Sequence, residues 1–122
     1  LGGNDLLRGI DPAVSRENLA GILEAAQAAG VAVLLVGLEA PGNYGPDYKA
    51  AFEGMYPDLA EEYDTLLARD FLGAFSAVED RETAMAELMQ PDGIHPSAEG
   101  VALIVEALGP KVEALVARAA AE

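Results

Sequence analysis

Apolar positions along the chain follow two patterns. Leu19, Ile22, Leu23 and Ala26 recur at i, i+3, i+4 and i+7, the period of a helix with one buried face. Asp11-Pro12 precedes them as N-cap and first helical residue, and Gly30 follows as a stop. The run Val31–Leu38 is instead almost continuously apolar and of strand length, as in a parallel strand buried on both faces. Tyr48, Phe52, Met55 and Leu59 mark the stripe of a second helix starting near Asp47, with Pro57 as a candidate kink. Thr65–Ala68 reads as a short strand and Glu82–Met89 as a helix, while Arg69–Asp80 carries neither period. Two further helical stripes follow: Val101, Ile104, Val105, Leu108, and then Val112, Leu115, Val116, Ala119 beyond Gly109-Pro110.

Breaker-rich loops separate these elements at Glu39–Pro46 and Pro91–Pro96. Alternation of helix and strand predicts an α/β layered fold with a parallel sheet. No internal repeat, low-complexity tract or interdomain linker interrupts residues 1–122, so they are read as one domain or part of one. The opening Leu1-Gly-Gly-Asn-Asp5 has no initiating Met and reads as the end of a strand entering a loop, so a missing N-terminal portion is expected.

Composition narrows the function classes. Hydrophobic residues make up 52% and charged residues 23% of the 122 residues, a globular balance. The net charge of −14 argues against a basic groove for phosphate backbones, so no nucleic-acid partner is expected; the acidity is read as serving solubility. There is no cysteine, hence no disulfide or thiolate site. No apolar run reaches the roughly 18 residues of a membrane span, and no signal peptide is visible.

His95 is the only histidine, and therefore the only side chain whose ordinary pKa suits proton transfer near neutrality. Asp92 stands three residues before it, Gly93 permits a tight turn, and Pro96 biases His95 toward extended backbone. Such a loop can set a carboxylate against one imidazole nitrogen and leave the other free as a base. The spacing by itself also suits an ordinary loop with one surface histidine. Asp92 and His95 supply only two candidate metal ligands, with no second histidine or cysteine to add, so no metal is expected. In the first loop, Asn4 offers a neutral amide donor suited to an oxyanion, although Gly, Asn and Asp equally form plain turns.

Together, Gly3-Asn4-Asp5 and Asp92-Gly-Ile-His95-Pro96 resemble the Gly-x-Asn-Asp and Asp-x-x-His blocks of SGNH (GDSL-type) hydrolases, in the same order. Leu7-Arg8-Gly9, Pro41–Gly45, Tyr48, Ala51-Phe52 and Tyr56-Pro57 resemble the bacterial acyl-CoA thioesterase I/arylesterase branch. The resemblance implies a three-layer, flavodoxin-like SGNH hydrolase fold, of which residues 1–122 are the C-terminal portion. It implies hydrolysis of acyl or aryl carboxylic esters or thioesters by a Ser-His-Asp triad without a cofactor. His95 would be the base, Asp92 its orienting partner and Asn4 an oxyanion donor, with Leu6, Tyr44 and Ile94 lining the acyl site. Asp5 is expected to tie its loop together. The serine and the oxyanion glycine would precede Leu1, since Ser15, Ser76 and Ser97 stand in no Gly-Asp-Ser turn; Ser97 is expected to cap the following helix. Relatives of this branch are often exported, so a periplasmic or secreted location is implied. Two other readings are a catalytically dead α/β interaction or ligand-binding module of the same descent, and an unrelated flavodoxin-like binding domain. The latter lacks a Gly-rich phosphate loop.

Overall fold

The computed structural model describes residues 1–121. Helix α1 spans Gly3–Arg8, α2 Pro12–Ala28, and strand β1 Leu34–Val36. A 3₁₀ turn at Gly42–Tyr44 leads into α3, Pro46–Glu62, followed by strand β2, Leu66–Ala68. A second 3₁₀ segment at Gly73–Ala77 precedes α4, Arg81–Leu88, and α5, Ala98–Ala121.

The strands pair in parallel, Leu35 opposite Leu67, with α3 as the crossover. Leu35 is buried in a core of Leu19 and Leu23 from α2 and Phe52, Met55, Tyr56 and Leu59 from α3, and Leu67 packs at its edge. Side chains alternate along a strand, so Leu34, Val36, Leu66 and Ala68 face the other way. Helix α5 packs on both strands and buries Ile104. The result is the expected α/β arrangement around a parallel sheet.

The expected eight-residue strand is shorter than its apolar run. β1 keeps three residues, and Val31 is 58% exposed. Among the described residues each strand has one neighbour, so backbone pairing extends only where the two overlap. The two stripes on either side of Gly109-Pro110 belong to one helix. Helix α5 runs through Pro110, whose missing N–H removes one helical hydrogen bond without ending the helix. The stripes of α5 are only partly covered, with Ile104 buried and Val101, Val105, Val112 and Val116 exposed.

The amino-terminal segment is a helix, not the expected strand end and loop. Gly2 takes φ 109°, and the Leu6 N–H returns to the Gly2 carbonyl at 3.0 Å. What bends it is an aromatic row, Tyr44 from the 3₁₀ turn and Tyr48, Phe52 and Tyr56 from α3, whose successive ring centroids lie 4.7, 6.2 and 5.7 Å apart. Tyr56 donates from its hydroxyl to the Leu1 carbonyl at 2.6 Å, and Tyr48 to the Ile10 carbonyl at 2.7 Å. A Cβ on Gly2 would collide with the Tyr56 hydroxyl, so only glycine lets the chain lie this close. Burial, helped by the nearby Asp5 charge, pushes the Tyr56 phenol up to about 12, keeping it a donor.

Candidate active site

The loop between α4 and α5 is closed at its base. Met89 and Pro96 form an antiparallel bridge, and the Gln90 N–H donates to the His95 carbonyl at 2.7 Å. Gly93 turns the chain at φ 68°, its N–H bonded to the Gln90 carbonyl at 2.9 Å. Inside this turn Asp92 uses both oxygens. Oδ1 accepts from the Ile94 and His95 backbone N–H groups at 2.9 and 3.0 Å. Oδ2 lies 2.6 Å from His95 Nδ1.

Hydrogen bonds from the His95 ring, then from the His95 and Ile94 amides, hold the Asp92 carboxyl down at about 2. An ionised carboxylate can only accept, so Nδ1 carries a proton, and in the neutral ring Nε2 is left with the lone pair. The His95 side chain is 67% exposed and makes no other hydrogen bond among the described residues. So open a pair adds little to stability. What it supplies is orientation: a basic nitrogen held outward by a carboxylate on the same turn.

The other sequence-derived candidates fall in different surroundings. Asn4 is exposed in the first turn of α1. Leu6 belongs to the apolar core at 9% exposure. Tyr44 is 38% exposed, stacks on Tyr48 and reaches toward the Leu7 carbonyl at 3.5 Å. Ile94 stands half-exposed next to His95. A shallow hollow of about 420 Å³ opens beside the same loop, between Met85, Met89, Pro91 and Gly93. No cluster of three potential metal ligands occurs among the described residues.

The three serines each have a local explanation. Ser15 is buried and donates to Asp5 Oδ2 at 2.6 Å, so Asp5 links α1 to α2. Ser76 sits exposed in the second 3₁₀ segment. Ser97 accepts the Gly100 N–H at 3.1 Å, the expected helix cap. Sequence reasoning missed that Ser97 also donates to the Glu87 carbonyl at 2.6 Å, and that Gln90 Nε2 donates to the Pro96 carbonyl at 3.1 Å. It also missed Gly100, which is buried against the Leu88 carbonyl. Ser97 Oγ and Gln90 Nε2 both bond backbone carbonyls, which no side-chain motif encodes.

The structure thus presents a carboxylate-oriented histidine on a pinned loop of an α/β scaffold. The chain belongs to the GDSL-like Lipase/Acylhydrolase family, whose model matches residues 1–103. It is 39% identical over 116 residues to "Esterase TesA" of Pseudomonas aeruginosa, covering 95% of this chain and 54% of that protein. It is 35% identical over 116 residues to "Thioesterase 1/protease 1/lysophospholipase L1" of Escherichia coli K12, covering 95% and 52% respectively. Among solved structures, AlinE4, described as an SGNH-hydrolase family esterase, is 48% identical with a TM-score of 0.65, covering 93% of this chain and 56% of that one. The chain thus spans about half the length of the curated relatives it matches.

Proposed function

We propose that residues 1–122 are the C-terminal portion of one SGNH hydrolase domain and supply the His-Asp half of a Ser-His-Asp triad. The observation that carries this reading is the 2.6 Å contact of Asp92 Oδ2 with His95 Nδ1 on a closed turn, which frees Nε2 as a base. The substrates are acyl or aryl carboxylic esters or thioesters. A serine N-terminal to Leu1 is the nucleophile, since Ser15 and Ser97 are committed to structural bonds and the only histidine, His95, lies on the loop between α4 and α5 and not on the 3₁₀ segment that carries Ser76.

In the first half-reaction the serine hydroxyl adds to the substrate carbonyl as its proton passes to His95 Nε2. Asp92 stabilises the imidazolium without taking the proton. The Asn4 amide donates to the oxyanion. Collapse expels the alcohol or thiol, which takes the proton from His95. Water repeats the sequence on the acyl-serine, releasing the acid and restoring the hydroxyl. Ile94 and Tyr44 border the acyl site.

The test compares two proteins on a short activated acyl ester: residues 1–122 alone, and the same chain with the segment encoded ahead of it. Hydrolysis is expected only from the longer protein and is abolished by His95→Ala. Turnover by residues 1–122 that disappears on Ser15→Ala, Ser76→Ala or Ser97→Ala would overturn the placement of the nucleophile.

A further inference from the structure

We infer that Ser97 is a positioning residue for the His95–Asp92 pair, acting through the donor bond of its hydroxyl to the Glu87 carbonyl and not only as a helix cap. The inference rests on the function just proposed. Both members of the pair ride on one turn, and the His95 side chain bonds only Asp92 among the described residues. The internal contact therefore fixes the imidazole relative to Asp92 but not relative to the rest of the protein. That second alignment comes from the base of the loop.

At that base Ser97 bonds both to α4 and to its own helix, where its carbonyl accepts the Val101 N–H at 2.8 Å. Its N–H donates to the Leu88 carbonyl at 2.8 Å. Its Oγ accepts the Gly100 N–H at 3.1 Å and donates to the Glu87 carbonyl at 2.6 Å. A hydroxyl has one proton, and the 3.4 Å separation from Glu99 Oε2 is a poor competitor for it. The donor bond fastens the last turn of α4 to the first turn of α5, two residues after His95. Gly100 lets the helix ends meet, because a Cβ there would clash with the Leu88 carbonyl. Gln90 closes the opposite side through the Pro96 carbonyl at 3.1 Å. Releasing the Ser97 donor would let the turn move as a unit, with Asp92 still against His95 but Nε2 displaced from the groups it serves.

Capping and fastening can be separated by substitution. Ser97→Asp keeps an acceptor for the Gly100 N–H and loses the donor to Glu87. Ser97→Thr keeps both. In the longer protein used above, Ser97→Asp and Ser97→Ala are expected to lower kcat about 10- to 100-fold, the scale of a displacement near 1 Å at a reacting group. KM should stay unchanged, because substrate contacts are untouched. The pH profile of kcat should also keep its position, since Asp92 still faces His95. Ser97→Thr should restore the rate. Melting curves establish that each variant is folded at the assay temperature, and Ser97→Asp keeps the test valid if Ser97→Ala does not fold. Full kcat in Ser97→Asp, a rise in KM alone, or a shifted pH profile would overturn the inference. If the parent loses no activity on His95→Ala, the functional reading fails and takes this inference with it; full loss on His95→Ala beside an unaffected Ser97→Asp refutes the role of Ser97 alone.

Discussion

Ser15 Oγ donates to Asp5 Oδ2 across 2.6 Å, and at 2% exposure the serine is sealed between α1 and α2. A hydroxyl so placed stabilises the fold and is closed to substrate. Ser15→Ala should cost about 1.5–3 kcal/mol, the range for a hydrogen bond to a charged partner. Denaturant unfolding measures the loss. The longer enzyme should retain its kcat per folded molecule, and a collapse of kcat with stability intact would return Ser15 to the list of nucleophiles.

Asp92→Asn isolates the orienting role. Asparagine can still accept the Ile94 and His95 amides through Oδ1, so the turn survives. Its amide then faces Nδ1 as a donor, which forces the ring proton onto Nε2 and removes the base. A fall in kcat of about 10⁴-fold is expected in the longer protein, as for the corresponding change in other triads. A fall below tenfold would mean that His95 does not depend on this carboxylate.

Acid should weaken the fold through the same residue, but only slightly, because the pair is open to solvent. Unfolded, Asp92 titrates near 3.8; folded, near 2. Between those values the unfolded chain binds the proton and the folded chain does not, so stability rises with pH. The contribution is present above the unfolded value and is lost as pH falls through about 2. Asp80 acts in the same direction, lowered first by the Thr83 hydroxyl. Urea midpoints across this window should drop with acid in the parent and less steeply in Asp92→Asn. Parallel curves would show that Asp92 is not ionised preferentially in the folded state.

Two glycine substitutions should move stability in opposite directions. Gly21 lies exposed in α2, and a Cβ there meets nothing within 4 Å. Gly21→Ala should stabilise by about 0.5–1 kcal/mol through helix propensity. Gly100→Ala gains the same propensity but drives its methyl into the Leu88 backbone carbonyl and to 3.0 Å from Phe75 Cζ. Overpacking of this kind costs about 1–3 kcal/mol. Thermal melts of the two variants should bracket the parent; a Gly100→Ala protein more stable than the parent would show that α4 and α5 do not meet so closely.

What the sequence determined by itself was governed by neighbours in the chain. The period of α2 and α3, the Asp11-Pro12 start and the helical break after Ala28 depend on residues within a turn or two of one another, and all appear as expected. The Asp92–His95 contact was legible for the same reason: three residues, a glycine able to take φ 68° and a following proline suffice to fold the carboxylate onto the ring. Only the tertiary structure decided what depends on distant partners. Gly3–Arg8 is a helix because Tyr56 and Phe52, some fifty positions away, shape the surface under it. β1 is three residues long because its pairing with β2 ends there. Ser15 is buried because Asp5 approaches it from α1. Ser97 reaches the Glu87 carbonyl only because Gly100 allows the ends of α4 and α5 to touch. Local chemistry writes the turn that pairs a histidine with its carboxylate; where that turn points is set by packing between helices, and packing acts across the fold.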